Sequence, residues 1–418
     1  MKDAAIALLL LSFCVLLAGC PKKPPQPMSP VEDFDRPLPP GELALRKITD
    51  PADMPDITRA CQFTYDLRGA IANSLHYLSK PSSRRYFPYG QITHHHAVES
   101  LKAFDALLAA GGSADQRRME ILRRFDVYTS VGWDGSGTVL FTSYYTPIFP
   151  ASTSRTAVFR FPLYKPPDGL LKDNDGNVLG VRGPDGRIAR LPERRVLETS
   201  GMLAGKELIW LADPFEVYIA HVQGSAKLRL PDGKLVTVGY TAHNGHEYQS
   251  VAKKMIADGK MARKDLSLAR MIAYFKAHPA EVNEYVYFNP RYVFFALSEG
   301  PPRGSLNEPV IRRRSIATDK LVYPRACLAM IDAPLPMRHS GGVEVLPYQG
   351  FALDQDSGGA IRAPGRCDIY VGVGDQAGQI AGQTYNKGRL YYLFLKPSLV
   401  PPPVLRPATT APASPARN

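Results

Sequence analysis

The chain has 418 residues, 44% of them hydrophobic, which is ordinary for a globular protein, and a formal net charge of +12. That charge implies an anionic partner unless the basic residues only maintain solubility, and no run of lysine or arginine is long enough to decide. Of five cysteines, Cys14 and Cys20 lie near the N-terminus, and Cys61, Cys327 and Cys367 form an odd set without metal-ligand spacing, so neither a disulfide framework nor a zinc site is indicated.

Residues 1–19 hold one lysine, an apolar run from Ala4 to Leu17 and small residues before Cys20. This is the pattern of a secretory signal peptide, too short for a membrane-spanning helix. The ending Leu17-Ala18-Gly19-Cys20 resembles the bacterial lipobox, in which the cysteine is lipidated and becomes the new N-terminus. Pro21 follows it, where an aspartate is associated with inner-membrane retention. The expectation is an outer-membrane lipoprotein facing the periplasm, a compartment that makes nucleic acid an improbable partner. Residues 20–47 are read as the lipidated cysteine and a proline-rich tether, too poor in large apolar side chains to fold. At about 3.1 Å per residue, roughly 20 to 25 such residues reach on the order of 60 to 75 Å. The tail, residues 399–418, is similarly low in complexity.

Between tether and tail lie more residues than one compact core usually serves, so two domains are expected. Helical spacing marks ITRACQFTYDLRGAIANSLHYL and HHHAVESLKAFDALLAAGG, with Gly111-Gly112 as the stop of the second. His94-His95-His96 reads as an exposed polar turn and no metal is assigned. VLFTSYYTPIF is an aromatic-rich strand. From Pro147 to Lys227 turn clusters such as DGLLKDNDGN and RGPDGR break short runs, which predicts a β-rich module. WLADPFEVYIAHVQGSAKLRLPDGKLVTVGY continues it as two alternating runs joined by Pro231-Asp232-Gly233. Helices are predicted in SVAKKMIADGKM and SLARMIAYFKAHP.

LDQDSGGAIRAPGRCDIY, from Leu353 to Tyr370, places two aspartates around a glycine-rich turn. Gly358, Gly359 and Gly365 would supply backbone geometries that other residues resist. In CDIYVGV the period of two puts Cys367, Ile369 and Val371 on one face and Asp368 and Tyr370 on the other. On composition alone Asp356 is a turn cap and Asp368 a solvated strand residue.

These residues, with GQTYNKGRLYYLFL after them, resemble the C-terminal 3D domain of the membrane-bound lytic murein transglycosylase A (MltA) family, whose three aspartates are matched by Asp319, Asp356 and Asp368. FTSYYTP resembles the family's Thr-Gly-Tyr-Tyr-x-Pro segment, with Ser143 in place of glycine. Gln223-Gly224-Ser225 keeps a Gln-Gly-Ser-Gly segment up to Ala226. Asn244, Gly245, His246 and Tyr248 match Asn-Gly-His-x-Tyr, and YFNPRYVFF matches Asn-Pro-x-Tyr-Val-Phe-Phe. The matches run in order from about Phe141 to Pro397.

The resemblance implies a mainly β fold with flanking helices: a double-psi β-barrel catalytic domain from residues 48–145 and 300–398, with a second, barrel-like β domain, residues 146–299, inserted. It implies a groove between them with Asp368 on its floor. Peptidoglycan glycan strands are the implied substrate, and their stem-peptide carboxylates suit the positive charge. Tyr144, Tyr145, Gln223, Ser225, Asn244, Tyr248, Gly358 and Gly359 are candidates for sugar contacts, with tyrosines bonded to backbone as the competing explanation.

The family's chemistry cleaves the β-1,4 bond between N-acetylmuramic acid and N-acetylglucosamine and closes a 1,6-anhydro ring. It needs one carboxyl, Asp368, as acid and then base, without a cofactor. Asp356 and Asp319 are either charged neighbours that keep Asp368 protonated or struts for the glycine turn; the strut reading is preferred. A non-catalytic, expansin-like wall-binding lipoprotein and a muramidase-type hydrolase are the alternatives. With Cys327 and Cys367 both assigned to barrel strands in an oxidising compartment, a single bridge between them is open.

Overall fold

The computed structural model describes residues 32–173, 176, 178–262, 265 and 267–403. The signal segment, Cys20, the tether up to residue 31 and the tail beyond 403 lie outside the described residues. Three strands come first: β1 (Leu45–Lys47), β2 (Phe125–Ser130) and β3 (Val139–Thr146). An inserted set follows: β4 (Ile148–Ser152), β5 (Phe161–Tyr164), β6 (Leu170–Lys172), β7 (Val178–Arg182), β8 (Ile188–Ala189), β9 (Glu207–Leu211), β10 (Ser225–Arg229), β11 (Leu235–His243) and β12 (Val293–Ser298). Last come β13 (Ser315–Ala317), β14 (Leu328–His339), β15 (Gly342–Asp356), β16 (Arg366–Val373) and β17 (Asn386–Leu395).

Six strands close a barrel in the order β17-β14-β15-β13-β16-β3, with β3 pairing back onto β17. The β13–β15 and β16–β3 pairs are parallel and the other four antiparallel. Closure gives every strand in the ring a neighbour on both sides and so removes open edges. This is the double-psi β-barrel that the resemblance implies. Phe141, Ile316, Ile331, Ile369, Leu390 and Tyr392 belong to one buried cluster, which also takes Cys367 and Val371 from β16. The strand's period of two then leaves Asp368 and Tyr370 on its other face.

Helices α1 (Thr58–Gln62), α2 (Leu67–Ser79), α3 (His94–Ala109) and α4 (Ala114–Arg124) cover the barrel. They share a core in which Phe104 meets Phe351 edge-on at 5.1 Å, beside Leu353 and Leu393. Truncating such a buried phenylalanine to alanine costs about 3–5 kcal/mol. Thr93 caps α3, and the helix ends ahead of Gly111, whose φ is +75°. The histidines open this helix instead of forming an exposed turn: His94 and His95 bond different backbone carbonyls, and His96 is buried against the Leu395 carbonyl. The helical spacing expected from Ile57 to Leu78 is interrupted where Asp66 takes φ 60°, and buried Arg314 bonds the freed carbonyls of Phe63 and Tyr65.

The inserted strands form a sheet in the order β12-β11-β10-β4-β9-β5 and a second of β6-β7-β8. Four helices lie with them: α5 (Arg194–Thr199), α6 (Pro214–Gln223), α7 (Val251–Ala257) and α8 (Leu268–Ala277), followed by α9 (Val282–Phe288). Helix α6 corrects the expected strand in DPFEVYIAHVQ. Asp213 accepts from the N–H groups of Phe215 and Glu216, Pro214 fits the first turn, and Phe215 to His221 are buried except Glu216, so no period was visible. The hairpin does form, between β10 and β11. Helices α9 and α10 (Asp375–Gln383) were not expected.

The fold also starts earlier than position 48. Phe34 is buried against Trp133, Ala44 is in the core, and β1 pairs with β2. Cys61, Cys327 and Cys367 are all free, buried thiols, so the possible Cys327–Cys367 bridge is absent. Cys327 instead donates to the Arg325 carbonyl. Among the described residues no helix is long and apolar enough to cross a membrane.

Candidate active site

Ala317 on β13 is the register partner of Asp356 on β15 and of Asp368 on β16. With neighbouring strands about 4.8 Å apart, the two aspartate backbones face each other across β13 at about 10 Å. Thr142 on β3 continues the row beside Asp368, and its hydroxyl donates to Asp368 Oδ1 at 2.9 Å. No hydrogen bond to Oδ2 is made among the described residues, and the residue is partly exposed. Burial pushes the Asp368 carboxyl up to about 6, against the Thr142 hydrogen bond and the charge of Arg366, with the negative charge of Asp356 adding to the rise.

Asp356 is fully engaged. Its Oδ1 accepts from the N–H groups of Ser305 at 2.7 Å and Ser357 at 2.8 Å, and its Oδ2 accepts from the Tyr144 hydroxyl at 2.6 Å. Burial raises its pKa, opposed by those bonds and by Lys320. Asp319 accepts from the N–H of Leu321 at 3.0 Å and of Ala363 at 2.8 Å. Ala363 sits at φ 63°, a conformation costing a non-glycine residue about 1–2 kcal/mol, so Asp319 holds a strained position in the loop that leads to Asp368.

Gly358, Gly359 and Gly365, expected to provide special backbone angles, are not at left-handed φ. What the loop needs is space: a Cβ on Gly365 would lie 2.6 Å from the Phe34 carbonyl oxygen and 2.7 Å from Trp133 Cβ. Ser143 has no left-handed φ either, so serine is tolerated where glycine was matched.

The structure gathers Asp368, Asp356 and Tyr144, whose ring lies 5.2 Å from that of Tyr370. Tyr145 points to the core under α10, and its backbone N–H donates to Gln223 Oε1 at 3.2 Å. Ser225 is buried at 3.3 Å from the Thr146 hydroxyl, which lies 3.1 Å from the Tyr370 hydroxyl. Gln223 and Ser225 thus join the insert to β3. Asn244 is buried and committed to backbone: Nδ2 donates to the Pro192 and Pro290 carbonyls, and Oδ1 accepts from Tyr292 N–H. Tyr248 stands against Gly359.

Thr142, which opens the segment matched to Thr-Gly-Tyr-Tyr-x-Pro but was not among the expected site residues, and the pair Lys320–Asp354 were not anticipated from the sequence. Asp354 is fully buried, accepts from Tyr392 and Thr318 hydroxyls at 2.7 Å each, and pairs with Lys320. Breaking such a buried pair from one side costs about 3–5 kcal/mol. The only available signal was its place two residues before Asp356 in LDQD. Among the described residues no three histidine, cysteine or carboxylate side chains are placed to hold a metal.

A closed six-stranded barrel that carries a row of aspartates and is interrupted by an inserted β module defines a class: 3D-domain proteins with an MltA-type insert. The family described as the MltA specific insert domain matches residues 140–296, and the 3D domain matches residues 314–394. The chain is 28% identical over 333 residues, 79% of it and 82% of the relative, to membrane-bound lytic murein transglycosylase A of Escherichia coli K12. It is 29% identical over 272 residues, 64% of it and 68% of the relative, to that of Vibrio cholerae. It is similar in structure to the membrane-bound lytic murein transglycosylase of Agrobacterium tumefaciens, with a TM-score of 0.72 and 26% identity over 84% of this chain and 98% of that one. For E. coli MltA with bound chitohexaose the TM-score is 0.62, with 26% identity over 87% and 99%. The chain belongs to the membrane-bound lytic murein transglycosylase A family.

Proposed function

We propose that this chain is a peptidoglycan lytic transglycosylase in which Asp368 serves first as acid and then as base. Asp368 gives its proton to the glycosidic oxygen as the bond from muramyl C1 to that oxygen breaks. As a carboxylate it then takes the proton of the muramyl C6 hydroxyl while O6 bonds to C1, so no water enters and the ring closes. The observation that carries this reading is the asymmetry of the three aspartates. Among the described residues Asp368 keeps one oxygen without a hydrogen bond and its carboxyl is raised to about 6, whereas Asp356, also raised by burial, and Asp319 have their oxygens filled by N–H and O–H donors. A hydrolase of the usual kind needs a second carboxylate free to activate water or attack, and neither neighbour is free.

Asp356 and Asp319 act as supports, and Tyr144, Tyr248 and the turn at Gly358 and Gly359 are assigned to the glycan. In this reading residues 34–145 and 300–398 form the catalytic domain and 146–299 the insert. The mature chain is held at the outer membrane by lipid on Cys20 and works on the periplasmic side, an assignment that rests on the lipobox-like Leu-Ala-Gly-Cys ending. The test is mass analysis of digests of isolated peptidoglycan. Products lighter by one water than those of a muramidase are expected, and reducing-end products alone make the enzyme a hydrolase.

A further inference from the structure

The turn that follows Asp356 meets the insert at a concentration of positive charge. A Cβ on Gly359 would lie 3.4 Å from Arg291 Nε and 3.5 Å from Tyr248 Cβ. Arg362 Nε donates to the carbonyl of the same glycine at 3.3 Å. Two guanidinium groups therefore flank one residue that has no side chain. Arg291 is half-buried, and of its five donors one, on Nη1, is bonded to the His246 carbonyl at 3.2 Å among the described residues.

The carboxylate that faces Arg362 is Glu247, at 3.2 Å, with its side chain 83% exposed. An exposed pair of this kind contributes at most about 1 kcal/mol and does not neutralise two cations. His243 reports the same field: burial, followed by the charges of Arg291, Lys172 and Arg362, depresses it to about 4. Cations gathered in partly buried surroundings repel one another until an anion joins them. The planar guanidinium fork suits a carboxylate in particular.

We propose that Arg291 and Arg362 form a carboxylate-binding subsite that reads the acidic pendants of the glycan strand, making charged strands better substrates than uncharged ones. The subsite lies where the loop between Asp356 and Asp368, which carries Arg362, meets Arg291 of the insert, so a pendant held there is registered to the strand that carries the acid. It rests on the glycan-cleaving reading above. The carboxylate has two possible sources, the stem peptide or the lactyl group that remains when the peptide is removed.

The experiment compares the full chain with Arg362→Gln, Arg291→Gln and the charge-keeping Arg362→Lys. KM is measured on peptide-bearing strands and on amidase-stripped strands, and Kd on chitohexaose, which has no carboxylate. Each glutamine variant is expected to weaken charged-strand affinity relative to chitohexaose by about tenfold, the scale of one charge-assisted hydrogen bond, with partial recovery in Arg362→Lys. Loss on peptide-bearing strands alone assigns the stem peptide, loss on stripped strands alone assigns the lactyl carboxylate, which is free only after the peptide is removed, and loss on both shows that the pair takes either carboxylate. Equal loss on all three glycans, or none on any, overturns the subsite. Wild-type enzyme that releases no anhydro products overturns the catalytic reading instead, and the two failures are read in different measurements.

Discussion

Replacing Asp368 with asparagine separates chemistry from folding. Asparagine keeps the size of aspartate, and its carbonyl can still accept from Thr142, but it neither gives nor takes a proton. General acid–base catalysis contributes about 10² to 10⁴-fold, and one residue serves both steps here, so the rate should fall by about 10⁴-fold or more. Stability should move the other way. Below its ordinary value of 3.8 the carboxyl is protonated in both folded and unfolded chains. Between 3.8 and about 6 only the folded chain keeps the proton, and above about 6 the folded chain carries the whole cost of a buried charge. Stability therefore falls as pH rises through that window, by about 3 kcal/mol for a shift of about two units. Asp368→Asn removes the penalty, so its melting temperature at pH 7 should exceed that of the wild type by a few degrees, and the difference should vanish near pH 4. The assay pairs release of soluble muropeptides with melting curves across pH 4 to 8. A variant that retains more than about a hundredth of the activity, or that melts lower than wild type at pH 7, refutes the assignment of Asp368.

With the acid titrating at about 6, only about a tenth of wild-type molecules are protonated at pH 7, so the rate should drop nearly tenfold per pH unit on the alkaline side; a flat profile from pH 6 to 8 counts against it. Asp319→Asn turns an NH2 group toward one of two backbone N–H donors and should destabilise by about 1–3 kcal/mol in denaturant titration. Asp356→Asn should cost less, because its amide can donate to the Tyr144 hydroxyl while its carbonyl keeps Ser305 and Ser357; a larger loss than for Asp319→Asn contradicts this geometry. Metabolic labelling with a fatty acid should mark wild type but not Cys20→Ser, and labelling of the serine variant ends the lipoprotein reading.

The alternation in CDIYVGV was enough to turn Asp368 away from the core, because a strand's side chains have a period of two whatever it pairs with. Gly111 as a helix stop and the Pro231-Asp232-Gly233 turn were legible for the same reason: their backbone preferences are local. Helix α6 was not legible, since a helix buried on nearly all sides loses its period, and only the Asp213-Pro214 start distinguished it from a strand. Which aspartate is free and which are struts was decided by partners far along the chain. Thr142 reaches Asp368 from 226 residues away, Tyr144 reaches Asp356 from 212, and Ala363 reaches Asp319 from 44. The pairing of Asp354 with Lys320 and the meeting of Arg291 with Arg362 at Gly359 belong to the same category. The sequence by itself set which residue types and faces were available, because propensity and periodicity act over a few residues. Only the closure of the barrel and its contact with the insert set the burial and hydrogen bonds of each carboxyl, because those depend on strands brought together from the two ends of the fold.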